Sequence, residues 1–105
     1  MARAIVKIND GAVVGEVKSY TGSTVPVNFL FCDGKTIGNV GSGATSLASI
    51  NTQDLFVHLW THFANTEAPV SGGRGGSALA DFTANKTITL PDLRGRTIAG
   101  KDNMG

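Results

Sequence analysis

Thr89-Leu90-Pro91-Asp92-Leu93-Arg94-Gly95-Arg96 is the stretch on which the reading of this chain turns. Pro91 fixes its own φ and drives Leu90 into an extended conformation, so no helix crosses the segment. Asp92 can bond backbone groups just ahead of it, and Gly95 takes φ > 0 at little steric cost. A strand that stops at Leu90 and enters an ordered turn is what these residues dictate. Arg94 and Arg96 point to one face if the segment stays extended. There they either bind acidic sugars or, the favoured reading, fork onto carboxylates and strand-end carbonyls. Asp33, Glu16 or a neighbouring chain would supply those acceptors.

Outward from that stretch, Lys86 to Leu90 reads as a strand, and Arg96 to Ala99 as a last short one. Before them, Ser71-Gly72-Gly73-Arg74-Gly75-Gly76-Ser77 reads as a flexible loop. It follows Pro69-Val70 and lacks Gly-Lys-Ser/Thr, so it is not a phosphate cradle. As a surface loop it is where an attachment protein would carry contact residues, with Arg74 as the cation.

One helix is predicted after Asn51 or Thr52, either of which can cap it, with Asp54 in its first turn. Leu55, Phe56, Leu59, Trp60 and Phe63 then form one apolar stripe and the largest expected part of the core. Asn65 and Pro69 end it. His58 and His62 lie one helical turn apart on the flanks of the stripe, the spacing of two metal ligands. Two ligands are too few for a zinc site in one chain, and no glutamate stands between them as a general base. They read as boundary residues, with a metal site as the minor alternative.

Toward the N-terminus, Ala4, Val6 and Ile8 alternate with polar neighbours, as in an edge strand or an arm lying on a neighbouring subunit. Asp10-Gly11 signals a turn, Val13 to Tyr20 a second strand, and Thr21 to Asn28 a loop around Pro26. Phe29-Leu30-Phe31-Cys32 and Lys35-Thr36-Ile37 flank Asp33-Gly34, which predicts a two-residue hairpin. Gly38 to Ser49 is small and polar and reads as a surface loop.

The 105 residues allow one small domain, burying about two thirds of its unfolded surface. Charged residues make up only 16%, below the roughly 25% usual for soluble domains, so part of the surface is expected to lie against a partner. The net charge of +1, with cations scattered along the chain, argues against a nucleic-acid binder. No apolar run approaches the roughly 20 residues of a spanning helix, so membrane insertion is not expected. Cys32 is the only cysteine, which rules out an intrachain disulfide. It has no activating neighbour in sequence and reads as a buried, inert thiol. Asp33 and Asp92 occupy turn positions that explain them, and with Glu16 they make no credible acid–base pair. The chain is therefore expected to be neither an enzyme nor the holder of a cofactor.

Four pieces in order resemble the phage tail collar domain family, found in tail fibre proteins of bacteriophages and prophages. They are Gly15-Glu16-Val17; Pro26 through Phe31-Cys32-Asp33-Gly34; Leu55-Phe56-x-x-Leu59; and Leu90-Pro91-Asp92-Leu93-Arg94-Gly95-Arg96. Asn28-Phe29 stand where the family has Gly-Trp, a tolerable change because Asn accepts φ > 0 and Phe keeps an aromatic plug. The long insertion between Ala64 and Lys86 departs from the shortest members. The chain stops soon after the closing motif, whereas similar tail fibres often continue into a distal tip. Two expectations follow: a collar segment without its receptor-binding end, or a longer fibre cut at that point.

The resemblance implies an α+β domain of short strands and hairpins around one amphipathic helix, with long Gly-rich loops. Residues 1–14 would form an N-terminal strand or arm, and residues 15–105 the collar-like domain. It also implies a virion structural role: a homotrimer in the tail, made in the host cytoplasm, joined to other fibre or baseplate proteins and supporting host attachment. Threefold packing would bury edge strands and surplus apolar surface. Some fibres resembling this family hold metals on their axis through His-x-His on extended chain, a pattern absent here. The rival expectation is a carbohydrate-binding module using the Gly38–Ser49 and Ser71–Ser77 loops, with Tyr20 as the sugar platform and Arg74 as a contact.

Overall fold

Alternation near the N-terminus produces strand β1 (Arg3–Lys7), which pairs antiparallel with β2 (Val17–Tyr20) on one side and β3 (Phe29–Phe31) on the other. β1 is thus the middle strand, not the edge strand its short mixed pattern suggests. Ala4, Ile5, Val6 and Ile8 are all buried, because neighbours flank them on both sides. The structure is a computed structural model and describes residues 3–9 and 13–93. The Asp10-Gly11 turn, the residues Arg94, Gly95 and Arg96, and the expected strand at 96–99 lie outside the described residues. The second predicted strand is shorter than expected, since Val13 to Gly15 form a turn before it.

The predicted hairpin at Asp33-Gly34 does not form. Gly34 does take φ +78°, as the dipeptide suggests. The flanking strands, however, part company: β3 stays with β1, and β4 (Thr36–Gly38) enters a second sheet. There β4 runs parallel to β5 (Leu47–Ala48) and antiparallel to β6 (Thr87–Thr89). The supposed loop from Gly38 to Ser49 therefore contains a strand. Thr36 and Thr45 anchor it by exchanging bonds between each amide and the other's hydroxyl, at 3.0 and 2.9 Å.

Ser49 caps a short 3-10 turn (Ile50–Thr52) by accepting from the Asn51 amide at 3.1 Å, and helix α1 (Gln53–His62) follows. Thr52 precedes α1 without capping it by its side chain. Its hydroxyl lies 2.8 Å from the carbonyls of both Gly38 and Ser49, fastening the start of α1 to β4. Leu55, Phe56 and Leu59 are buried as the stripe predicts and Trp60 is half-buried, but Phe63 follows the helix in extended conformation and is exposed.

A second helix, α2 (Ala78–Thr83), was not expected; Ser77 caps it by accepting from the Ala80 amide at 3.1 Å. Among the described residues the fold is therefore mixed α+β, with two small three-stranded sheets, two α-helices and the short 3-10 turn. Phe56 and Phe82 meet edge-to-face, centroids 5.4 Å apart, among Val6, Ile37, Ile88 and Leu90. Each large apolar side chain buried here contributes about 1.5–3 kcal/mol by area, an upper figure. The insertion between Ala64 and Lys86 joins this core through Ala68 and Val70. Its backbone also runs beside β6, Thr89 donating to Pro69 and Ser71 to Thr87. Among the described residues no helix is long and apolar enough to cross a membrane.

Candidate functional site

The two sequence islands meet in space. Leu90 donates its amide to the Lys35 carbonyl at 2.8 Å, Gly34 to Pro91 at 3.4 Å, and Leu93 to Cys32 at 2.9 Å. Asp33 and Asp92 face each other across an isolated antiparallel bridge. Asp33 also accepts from the Lys35 amide at 3.1 Å, holding the turn that Gly34 completes. A Cβ on Gly34 would stand 3.3 Å from the Asp92 Cβ, and the positive φ is a second reason for glycine there. Cys32 in turn donates to Ala4 at 2.9 Å, which links this clasp to the first sheet. One short segment thus fastens both sheets.

Burial, and then the charge of Asp33, push the Cys32 thiol up to about 12. It stays protonated at neutral pH, as expected of an inert cysteine. A thiol-reactive disulfide reagent should leave Cys32 untouched in the native protein at pH 8 and modify it fully in denaturant. Rapid native modification would contradict the burial.

Gly15 takes φ +91° and closes the end of β1, donating to Lys7 at 2.9 Å, while Lys7 donates to Glu16 at 2.9 Å. Its α-carbon abuts the His58 ring so closely that a side chain there would collide with it. Glu16 pairs with Lys18 at 3.8 Å, both largely exposed, an interaction of little energetic weight.

His58 and His62 do lie side by side on α1, ring centroids 4.7 Å apart and ring planes tilted by 51°. No group of three or more His, Cys, Asp or Glu side chains among the described residues could hold a metal. Burial, and then the neighbouring His62, lower the His58 pKa from its ordinary 6.5. Lowering means that the unfolded chain takes up a proton first as pH falls. Stability should therefore decline as pH drops below about 6.5, and His58→Gln should flatten that decline in urea melts at pH 5.5 and 7.5.

Arg74 is not the free loop cation its glycine-rich setting suggests. Its guanidinium lies over the Trp60 ring, 5.1 Å from the centroid, and donates to the carbonyls of Trp60 (2.6 Å) and Ala68 (3.1 Å). The loop is tied at two further points. Gly75 donates to Asp81 at 2.9 Å, and Lys86 donates to the Gly73 carbonyl at 3.0 Å. Asp81, buried on α2, also receives the Trp60 indole N–H at 2.9 Å and sits 3.4 Å from the Lys86 ammonium. Burial works to raise its pKa, yet Gly75, Trp60 and Lys86 together outweigh it and hold the carboxyl below its ordinary 3.8.

Asp81 escaped the sequence reading. Two signals pointed to it: Ser77 stands where an N-cap would, and a half-buried Trp60 needs an acceptor for its N–H. Tyr20, half-buried at the sheet edge, lies across Gly22, where a Cβ would come 2.6 Å from its hydroxyl. It pairs with Arg3 on β1, whereas Arg74 is fixed to α1.

No family model matches the chain, and neither a curated protein nor a solved structure does.

Proposed function

We propose that the chain is a non-catalytic structural module of a bacteriophage or prophage tail fibre, of the tail collar type. In this reading it assembles as a homotrimer in the virion tail, contacts other fibre or baseplate proteins and supports attachment to the host surface. The observation that carries the reading is the clasp. Phe31-Cys32-Asp33-Gly34 and Leu90-Pro91-Asp92-Leu93, far apart in sequence, bond to each other and share one structural task. Two further features support it. Asn28, standing where the family has glycine, has φ +66°, a conformation glycine would adopt freely. The charge content of 16% is low, as for a domain part of whose surface is covered by a partner.

Light scattering coupled to size exclusion tests the reading. A stable trimer of the purified chain supports it, and a monomer at every concentration tried would overturn it. A loop-based lectin is the weaker reading, since Arg74 and Trp60 are engaged with each other and with the backbone.

A further inference from the structure

The first sheet has two faces of different chemistry. Ala4, Val6 and Ile8 point into the core, so Arg3, Ile5 and Lys7 point away from it. Register places Lys18 of β2 and Phe31 of β3 on either side of Ile5, and Phe29 beside Lys7. Ile5 is only 1% exposed although it lies outside the core cluster, so side chains of this outer face cover it.

The cover is made of cations on rings. Arg3 lies over Phe31, 5.1 Å from the centroid, while Lys7 and Lys18 flank Phe29 at 5.1 and 5.2 Å. To reach Phe29 on the far strand, Lys18 must cross β1 above Ile5. Three positive groups are thereby held at set places on a floor of hydrocarbon and ring edges. An acidic group lies among them: Glu16 pairs with Lys18 at 3.8 Å.

We propose that this outer face binds an acidic polysaccharide, a chain of sugars carrying carboxylates. Carboxylates meet Arg3, Lys7 and Lys18, and the C–H face of a sugar rests on Tyr20, which pairs with Arg3 at the sheet edge. Arg3 and Lys7 stand about 13 Å apart along the strand, so they engage separate sugars of an extended polymer rather than one small anion. Rings that hold the cations in place reduce the ordering cost of binding. Single-stranded nucleic acid fits less well. Its successive bases need a row of open ring faces, whereas Phe29 and Phe31 both carry cations. This site is separate from the glycine-rich loops.

The test uses the full chain and three probes in affinity electrophoresis: polygalacturonate, neutral dextran and oligothymidylate. Polygalacturonate should retard the protein at low salt and lose its hold as salt rises to about 0.3 M. Lys7→Gln/Lys18→Gln should weaken binding roughly tenfold, whereas Lys7→Arg/Lys18→Arg should retain it. If the glutamine pair melts early, Arg3→Gln, at an exposed position, takes its place with a smaller loss in the same direction. Retardation absent at low salt, unchanged in the glutamine variants, equal with dextran or stronger with oligothymidylate would each overturn the proposal. Its fate is separable from that of the assembly reading. A monomer that binds polygalacturonate keeps this inference and loses the trimer, and a trimer indifferent to it does the reverse.

Discussion

Replacing Asp81 with alanine should destabilise the protein by about 3–5 kcal/mol, because three donors converge on one buried carboxylate. The Trp60 indole N–H and the Gly75 amide lose their acceptor, and the Lys86 ammonium loses its counter-charge. For a domain of this size the melting temperature should fall by on the order of 15 °C or more. Asp81→Asn keeps one acceptor oxygen but sets an NH2 among donors, so it should recover only part of the loss. The pH dependence has a definite sign. A carboxyl whose folded pKa lies below 3.8 adds stability that is present above 3.8 and lost as pH falls beneath it. The wild type should therefore weaken in acid below that point, and Asp81→Ala should weaken less. A loss under about 1 kcal/mol at pH 7 would mean that water replaces the carboxylate with little cost.

The second large effect is expected at Phe56, fully buried on α1 against Phe82 of α2. Phe56→Ala should cost about 3–5 kcal/mol, the transfer free energy of the ring plus that of the cavity left behind. The edge-to-face contact should appear as a further coupling of about 0.5–1.5 kcal/mol in a double-mutant cycle with Phe82→Ala. Chemical denaturation with a constant m-value is the measurement. A cost below about 2 kcal/mol would show that α2 collapses into the space, leaving the two helices less firmly tied than their contact implies.

The parts of this fold that could be read from sequence are those in which one segment carries its own evidence. The α1 stripe did so, and three of its five apolar residues, Leu55, Phe56 and Leu59, are fully buried. The thiol of Cys32 and the positive φ of Gly34 were legible for the same reason. The hairpin failed because Asp-Gly chemistry specifies a backbone angle and not a pairing partner. β3 pairs with β1, and β4 with β5 and β6, so neither takes the strand across the turn as its partner. Helix α2 has six residues and buries only Ala78, Asp81 and Phe82, too brief a pattern to show a period. Arg74 looked free because its neighbours are glycines, whereas its contacts come from α1 and from Ala68. Of the candidate site, the two halves of the clasp were visible as separate turns, and their union was not.

That union also orders events during synthesis. The first sheet needs only residues up to Phe31, so its three strands can pair soon after that point leaves the ribosome. The second sheet must wait for Thr87–Thr89, and the clasp for Leu93. Until then Ile37, Leu55 and Phe56 have no β6 to cover them, and β4 offers an open edge to any passing strand. Every residue from Cys32 to Leu93 is added in that half-closed state. Its last described residues act as the fastener, and a stall just before them would leave a chain poised to pair with its neighbours on the same message.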